Sequence, residues 1–241
     1  MKLALFSDVH GNYDALKAVL ADIEKAGVSR TICLGDCIGY GPEPEQVLAE
    51  VIRRRIDTII GNHELAVCDP RHLTWFNPLA SASLKITIEK LSQTSIDFIK
   101  ALPTSLVIEG IRCVHGFPPD SSRTYLFQKT PHQLKQALEN LQETLCFVGH
   151  THELVLVDYD GREARRRKLD QGRIMLDADH RYLFNIGSVG QPRDGNNQAK
   201  YVILDLGKRQ LETRFISYDI AATVAKIKAA GMPEQHANRL W

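Results

Sequence analysis

Five short clusters of aspartate, histidine and asparagine are the residues of this chain that could bind metal ions. The clusters are Asp8-Val9-His10, Gly35-Asp36, Gly61-Asn62-His63-Glu64, His115-Gly116 and Gly149-His150-Thr151-His152. Each directly follows a short apolar run, and together they contain five of the nine histidines. Carboxylate and imidazole ligands suit Mn, Fe, Zn or Ni, whereas the lack of thiolates argues against a purely structural zinc site. Because all five clusters follow short apolar runs, we predict that they converge on one metal site.

The number of candidate ligands predicts two ions and not one. With one histidine left free for catalysis, the other seven aspartate, histidine and asparagine side chains of the clusters are more than a single ion uses, but two ions that share a bridging carboxylate would use them all. Two ions about 3.5–4 Å apart are suited to phosphoryl hydrolysis, because they clamp phosphate oxygens and lower the pKa of a bridging water. We therefore expect a metal-bridging hydroxide to attack phosphorus directly. A histidine that is not a ligand could protonate the leaving oxygen or stabilise its charge.

The elements that must position these clusters are short buried strands. Runs such as Leu3 to Phe6 and Thr58 to Ile60, rich in Ile, Val and Leu and bounded by glycine, are typical of such strands, whose carboxyl ends carry functional loops. Asn12 can cap a helix that runs to Ala26, and Gly27 can end it. Beyond His152 the pattern changes to short, antiparallel-looking strands. This order favours an α/β fold of two packed sheets with helices outside.

Two segments have weaker signals. The stretch from Glu64 to Pro78 reads as irregular, and Asp219 is expected to cap a final helix that Gly231 ends. No repeat, low-complexity segment or long linker divides the chain, so we expect one domain over residues 1–241.

The bulk composition excludes several classes of protein. The 241 residues are 44% hydrophobic and 24% charged, with a formal net charge of +1. A near-neutral charge argues against a nucleic-acid-coating protein, and no apolar run approaches the roughly 18 residues of a membrane span. Five scattered cysteines do not predict a disulfide framework. We expect a cytoplasmic protein that acts on a small phosphorylated substrate, with neither membrane nor nucleic acid as a partner; the oligomeric state is left open.

The ordered clusters resemble the calcineurin-like metallophosphoesterase superfamily. Every motif block of that family is present in the family order between residues 8 and 152. The runs 35–44 and 185–193 resemble a subgroup of small prokaryotic phosphoesterases. The resemblance implies a four-layer α/β/β/α sandwich of two mixed sheets flanked by helices.

The resemblance also implies a role for each clustered residue. One metal would be held by Asp8, His10 and His152, and the second by Asn62, His115 and His150. Asp36 would bridge the two ions, and His63 would be the non-ligand catalytic histidine that faces the leaving group.

One departure from the family concerns the orientation of His63. The serine/threonine protein phosphatases carry an Asp-Arg pair that orients the catalytic histidine, and here Gly39 and Tyr40 occupy those places. A protein phosphatase is therefore disfavoured, and the residue that orients His63 is left open.

Several residues outside the clusters have two readings. Arg193 could bind a substrate phosphate bidentately or form a surface ion pair. Trp75 and Phe76 are expected to serve as a lid or core, with nucleobase stacking as the alternative. The histidines without ligand spacing are expected on the surface: His72, His132, His180 and His236.

The sequence thus predicts a dinuclear-metal phosphoesterase that hydrolyses a phosphate mono- or diester, with Mn²⁺ the ion expected to support activity. The first alternative is a nucleotide-directed hydrolase that acts on dinucleoside polyphosphates or cyclic nucleotides. The second is a metal-stabilised binding module without turnover, and the presence of His63 argues against it because a scaffold needs no such group.

Overall fold

Two mixed six-stranded sheets flanked by helices form the protein, and the computed structural model describes all 241 residues. The strands are β1 (Lys2–Phe6), β2 (Arg30–Cys33), β3 (Asp57–Thr58), β4 (Ser105–Ile108), β5 (Ile111–Val114), β6 (Leu145–Val148), β7 (Leu154–Tyr159), β8 (Ala164–Lys168), β9 (Gly172–Met175), β10 (Arg181–Ile186), β11 (Ala199–Asp205) and β12 (Gln210–Ile216). The helices are α1 (Tyr13–Ala26), α2 (Pro44–Arg53), α3 (Asn62–Cys68), α4 (Pro78–Glu89), α5 (Gln93–Lys100), α6 (Pro131–Asn140), α7 (Ile220–Ala229) and α8 (Glu234–Asn238). Two 3₁₀ turns cover Pro70–Trp75 and Leu126–Gln128.

The strand directions place the ligand loops of each sheet at the same end of that sheet. The first sheet has the order β3-β2-β1-β11-β12-β9, and the second has the order β4-β5-β6-β10-β7-β8. Strands β1, β2 and β3 are parallel to one another, as are β5, β6 and β10. The loops that follow parallel strands leave a sheet at the same end. The predicted α/β fold of two mixed sheets with outer helices is confirmed.

Alternation along the strands explains the layers. In β1, Leu3 and Leu5 pack between the two sheets, whereas Ala4 and Phe6 pack against the outer helices. Successive side chains of a strand point to opposite faces, so a strand covered on both sides is apolar throughout. This is why the ligand-bearing strands read as short continuous apolar runs.

The first helix begins and ends where the sequence predicts. The Asn12 side chain accepts a hydrogen bond from the Ala15 N–H (3.1 Å), and Gly27 adopts a left-handed φ of 62° after the last turn. Because the cap residue Asn12 lies two residues after His10, it also fixes the end of the first ligand loop.

Three segments differ from the sequence-based expectation. The stretch after Glu64 is not irregular, since α3 and the 3₁₀ turn Pro70–Trp75 fill most of it. Both are too short for a helical apolar period to be visible in the sequence. The strand expected from Thr58 to Ile60 is only Asp57–Thr58, and α8 follows the helix that was expected to be the last. No helix is long and apolar enough to cross a bilayer.

Candidate metal centre

All five predicted clusters meet in one buried centre. The loops after β1, β2 and β3 come from the first sheet, and those after β5 and β6 come from the second. No side chain of the centre is more than 8% exposed; its members are Asp8, His10, Asp36, Asn62, His63, His115, His150 and His152. The structure therefore brings together every residue predicted as a ligand, and His63 with them.

The ligand atoms fall into two main sets, each close enough to surround an ion. Asp8, His10 and His152 form one set, and Asp36, His115 and His150 form the other. In the first set, Asp8 Oδ1 lies 3.6 Å from His10 Nε2 and 3.3 Å from His152 Nε2. Asn62 joins the second set through its Oδ1, which lies 3.2 Å from His115 Nε2.

The Asp36 carboxylate lies between the two sets. Its Oδ2 is 3.3 Å from His115 Nε2 and 3.8 Å from His10 Nε2, so one oxygen faces a histidine of each set. Its Oδ1 accepts a hydrogen bond from the His63 backbone N–H (3.0 Å). Asp36 also belongs to a third set, together with His10 and His63. A carboxylate that faces both main sets in this way could bridge two ions.

Backbone carbonyls fix which ring nitrogen of each histidine faces the centre. Nδ1 of His10 lies 3.0 Å from Ile38 O, Nδ1 of His115 lies 2.7 Å from Leu34 O, and Nδ1 of His152 lies 2.6 Å from Gln191 O. A carbonyl only accepts, so each Nδ1 carries a proton, and in the neutral ring each Nε2 presents a lone pair. His150 is held the other way round, since its Nε2 lies 3.1 Å from Arg123 O. Metal-binding histidines are typically oriented by such bonds.

Two of these lone pairs point at each other, which indicates a cation site. His10 Nε2 lies 2.9 Å from His152 Nε2, and neither nitrogen has a proton to donate while its Nδ1 bonds a carbonyl. Asp8 Oδ1 beside them is buried and has no hydrogen-bond partner. Orphaned buried acceptors of this kind are costly unless a cation satisfies them. The donor set therefore fits divalent metal ions.

The electrostatics of the centre point the same way. No lysine or arginine nitrogen lies within 4 Å of Asp8 or Asp36, whose nearest cationic groups are histidines. Burial would lower the pKa of His115, but the Asp36 carboxylate outweighs burial and raises that pKa to about 10. Burial lowers the pKa of His150 to about 3 and that of His152 to about 4. The two buried carboxylates thus attract positive charge, while most of the imidazoles around them resist protonation.

The candidate ligands are also where the backbone is strained. Five of the nine non-glycine residues with positive φ are candidate ligands; they are Asp8 (56°), His10 (50°), Asp36 (52°), His150 (69°) and His152 (62°). A left-handed backbone at a non-glycine residue costs about 1–3 kcal/mol and is concentrated at functional sites. The chain accepts this strain where it turns side chains towards the centre.

Glu64 has a structural role that its motif did not reveal. Its fully buried carboxylate accepts hydrogen bonds from the backbone N–H groups of Asp36 (2.8 Å), Cys37 (2.8 Å), Ile38 (3.3 Å) and Gly61 (3.0 Å). Burial, followed by the nearby Asp36 charge, raises the pKa of Glu64 to about 7. One side chain thereby ties the loop after β2 to the start of α3. A glutamate at the fourth position of Gly-Asn-His-Glu was the only signal of this role.

We expect Glu64→Gln to loosen the Asp36 loop. The amide keeps one acceptor oxygen and turns an NH₂ group towards backbone donors, so unfolding in urea should show a loss of about 2–4 kcal/mol. Glu45→Gln is the matched control, since the Glu45 carboxylate also accepts a backbone N–H, that of Ser92, but at an exposed site. A loss no larger than in the control would contradict this role.

Ring packing, and not a hydrogen bond to a carboxylate, holds the side chain of His63. Its ring lies edge-on to Tyr40 (centroids 4.7 Å apart) and to Phe76 (5.0 Å), and its buried Nδ1 has no hydrogen-bond partner. A Cβ at Gly39 would overlap the His63 imidazole, so glycine leaves the space that the ring occupies. Burial holds the pKa of His63 well below its usual range. Gly39 and Tyr40, which stand where the serine/threonine protein phosphatases carry an Asp-Arg pair, thus help to orient the His63 ring.

Gly39→Ala should displace His63 and leave the metal ligands in place. If His63 has the leaving-group role expected from the sequence, turnover should fall by about 10²-fold or more on its displacement, while metal content measured by mass spectrometry stays unchanged. Gly161→Ala is the control, since Gly161 has a similar φ of 87° against 90° for Gly39, but open space around its Cβ. Equal losses in both variants would show that backbone strain alone is responsible.

The end of β10 and the loop after it form hydrogen bonds to the first and the last ligand loops. The Ser188 hydroxyl donates to Asp8 O (2.7 Å), and the Asn185 amide donates to Gly149 O (2.8 Å) and to the Thr151 hydroxyl (2.7 Å). The same loop carries Arg193, which lines the cleft above the centre. Arg193 donates to Gln191 Oε1 (3.0 Å) and has no carboxylate partner. The surface ion pair considered for Arg193 is therefore absent.

The surface location expected for His236 is wrong. His236 is 2% exposed, its Nε2 lies 2.6 Å from the Ser83 hydroxyl, and its ring lies 4.7 Å from that of Tyr40. The short helix α8 docks it there, and that helix had no visible period in the sequence. His132 is exposed, as expected.

These findings agree with the comparisons with known proteins. The chain belongs to the calcineurin-like phosphoesterase superfamily, whose domain model matches residues 1–209. It is 33% identical over 244 aligned positions to an uncharacterized protein of Methanocaldococcus jannaschii, covering 99% of this chain and 97% of that protein.

Solved structures show the same fold. A metallophosphoesterase from Sphaerobacter thermophilus is 33% identical, with a TM-score of 0.85 over 100% of this chain and 98% of that one. A hypothetical protein from Pyrococcus horikoshii is 19% identical, with a TM-score of 0.79 over 100% of this chain and 97% of that one. The resemblance to the calcineurin-like metallophosphoesterases, inferred from the motifs, is confirmed.

Proposed function

We propose that the protein is a dinuclear-metal phosphoesterase that hydrolyses a phosphate mono- or diester by direct attack of an activated water. One observation carries this proposal: two sets of buried ligands flank Asp36, and the His63 ring stands beside them at the wall of the cleft. The Nε2 of His63 lies 3.9 Å from Asp36 Oδ2, so the ring is close to the reacting position.

The residues divide the work as follows. Asp8, His10 and His152 would hold one ion; Asn62, His115 and His150 would hold the other, and Asp36 would bridge them. When bound, such ions lower the pKa of a shared water towards about 7 and polarise phosphate oxygens. His63 would donate a hydrogen bond or proton to the leaving oxygen. Arg193 would bind a free phosphate oxygen with its guanidinium.

A covalent enzyme intermediate is not part of the proposal. The fourteen residues that line the cleft include no serine, threonine or cysteine. Cys37, which follows Asp36 in the sequence, is buried, and its Sγ lies 3.5 Å from that of Cys33. This thiol contact, together with burial, raises the pKa of Cys37. A binding module without turnover is the rival, and the retained His63 ring with its cleft access argues against it.

The first experiment is hydrolysis of p-nitrophenyl phosphate and bis-p-nitrophenyl phosphate by metal-stripped protein refilled with Mn²⁺, Fe²⁺, Zn²⁺ or Ni²⁺. We expect activity to return with metal, highest with Mn²⁺, and the preferred substrate to separate monoesterase from diesterase. No activity with metals demonstrably bound would favour the binding module.

Asp36→Asn tests the shared ligand. We expect turnover to fall by at least about 10³-fold and metal binding to weaken, because a neutral amide bridges two cations poorly. Asp97→Asn removes an exposed carboxylate of α5 and should leave both quantities unchanged. Full activity in Asp36→Asn would exclude the two-metal proposal.

A further inference from the structure

The cleft above the metal centre is lined by two further arginines besides Arg193. The cleft has a volume of about 320 Å³, and Trp75, Arg123 and Arg239 line it together with residues of the centre. Small-molecule pockets begin at about this volume, which is more than one phosphate fills. Arg239 follows α8 and lies outside residues 1–209, which the family model matches.

Stacking holds the Arg123 guanidinium in place. Its central carbon lies 3.6 Å from the centre of the Trp75 ring, and the His72 ring stacks on Trp75 at 3.7 Å. Two groups at such short distances must lie on opposite faces, so Trp75 has no free face for a nucleobase. Stacking covers the flat face of a guanidinium, so its N–H groups, which point outwards in its own plane, stay free to bind a ligand. Trp75 is therefore a support for Arg123, and not a base-binding platform.

Neither arginine has a partner that would occupy its donors. The Arg123 backbone N–H bonds the Ser121 hydroxyl, but neither the Arg123 nor the Arg239 side chain makes a hydrogen bond or ion pair within the protein. Neighbouring arginines differ: Arg71 pairs with Asp69, and Arg112 pairs with Glu143. Two arginines that line the cleft without a carboxylate partner of their own leave positive charge that an anion can neutralise.

We propose that Arg123 and Arg239 bind a second phosphate group of the substrate, so that the preferred substrate carries at least two. This inference rests on the proposed phosphoesterase function, in which the metal ligands and Arg193 already account for the phosphate that reacts. The planar guanidinium binds phosphate bidentately, and this favours arginine at such a position over lysine.

The test is calorimetric binding of non-hydrolysable phosphonates to the Mn²⁺-loaded protein. Methylphosphonate carries one charged group, methylenediphosphonate carries two that are directly linked, and 1,3-propylenediphosphonate carries two that are separated. We expect one diphosphonate to bind about 10-fold or more tighter than methylphosphonate. The tighter of the two tells whether the phosphates of the substrate are condensed, as in a diphosphate, or attached to separate carbons.

Arginine variants distinguish phosphonate binding by the cleft arginines from phosphonate binding by the metal ions. Arg123→Gln and Arg239→Gln should each weaken the preferred diphosphonate about 10-fold and change methylphosphonate less than about 2-fold. Arg162→Gln is the control, since Arg162 is exposed in the turn between β7 and β8, at the end of β7 away from His152. Diphosphonates that bind no tighter than methylphosphonate, or undiminished binding in both cleft variants, would overturn the proposal.

Trp75 is tested as a positioning residue through its effect on Arg123. Trp75→Leu should lower diphosphonate affinity as much as Arg123→Gln does, whereas Trp75→Phe should keep most of it. In the Arg123→Gln background, Trp75→Leu should add nothing, because residues that act through one contact are not additive. Additive losses would overturn this role.

The outcomes also distinguish the two proposals. Hydrolysis of p-nitrophenyl phosphate without any diphosphonate preference would overturn the second-phosphate site alone. A diphosphonate preference that depends on the arginines, without hydrolysis of any ester, would support the site and contradict the catalytic proposal.

Discussion

The burial of two carboxylates without a lysine or arginine beside them is the constraint on which this structure depends. Asp8 and Asp36 are at most 1% exposed, and histidines are the only cationic groups near them. An isolated buried carboxylate is so costly that it must be paired, protonated or bound to a metal. Here hydrogen bonds keep the histidine lone pairs turned inward as well. The protein core thus collects acceptors from both sheets and leaves the matching positive charge to bound ions.

The rest of the framework can be understood as the means of keeping those acceptors together. Left-handed backbone at the candidate ligands and a glutamate that accepts four backbone N–H groups both oppose relaxation of the loops. The left-handed backbone is unfavourable for a loop that merely connects a strand to a helix. Since an ion binds only the folded arrangement, its binding free energy can offset the strain, and folding and metal binding are linked.

The sequence was sufficient for the parts of the fold that obey local rules. Apolar runs ending in ligand clusters predicted β1, β2, β5 and β6 and the meeting of their loops, because strand period and loop position are local properties. It failed at α3 and α8, which are too short to show a period and depend on tertiary contacts. His236 was misplaced with α8. Glu64 and Arg123 were missed because accepting backbone donors and stacking on Trp75 leave no pattern in a single sequence.

The chain separates reaction chemistry from substrate choice, and this limits what family membership can say. The candidate ligands lie between residues 8 and 152 in ordered motifs, whereas the cleft wall comes from the 3₁₀ turn ending at Trp75, the Arg123 loop and the end of α8. These segments meet only through the tertiary fold. No candidate ligand lies on these segments, and the Arg123 segment contacts His150 through its backbone carbonyl, so side chains there can change without replacing a ligand. Under the proposed function, we therefore expect substrate preference to depend on the unpaired charges that line the cleft, and not on the motifs that identify the superfamily.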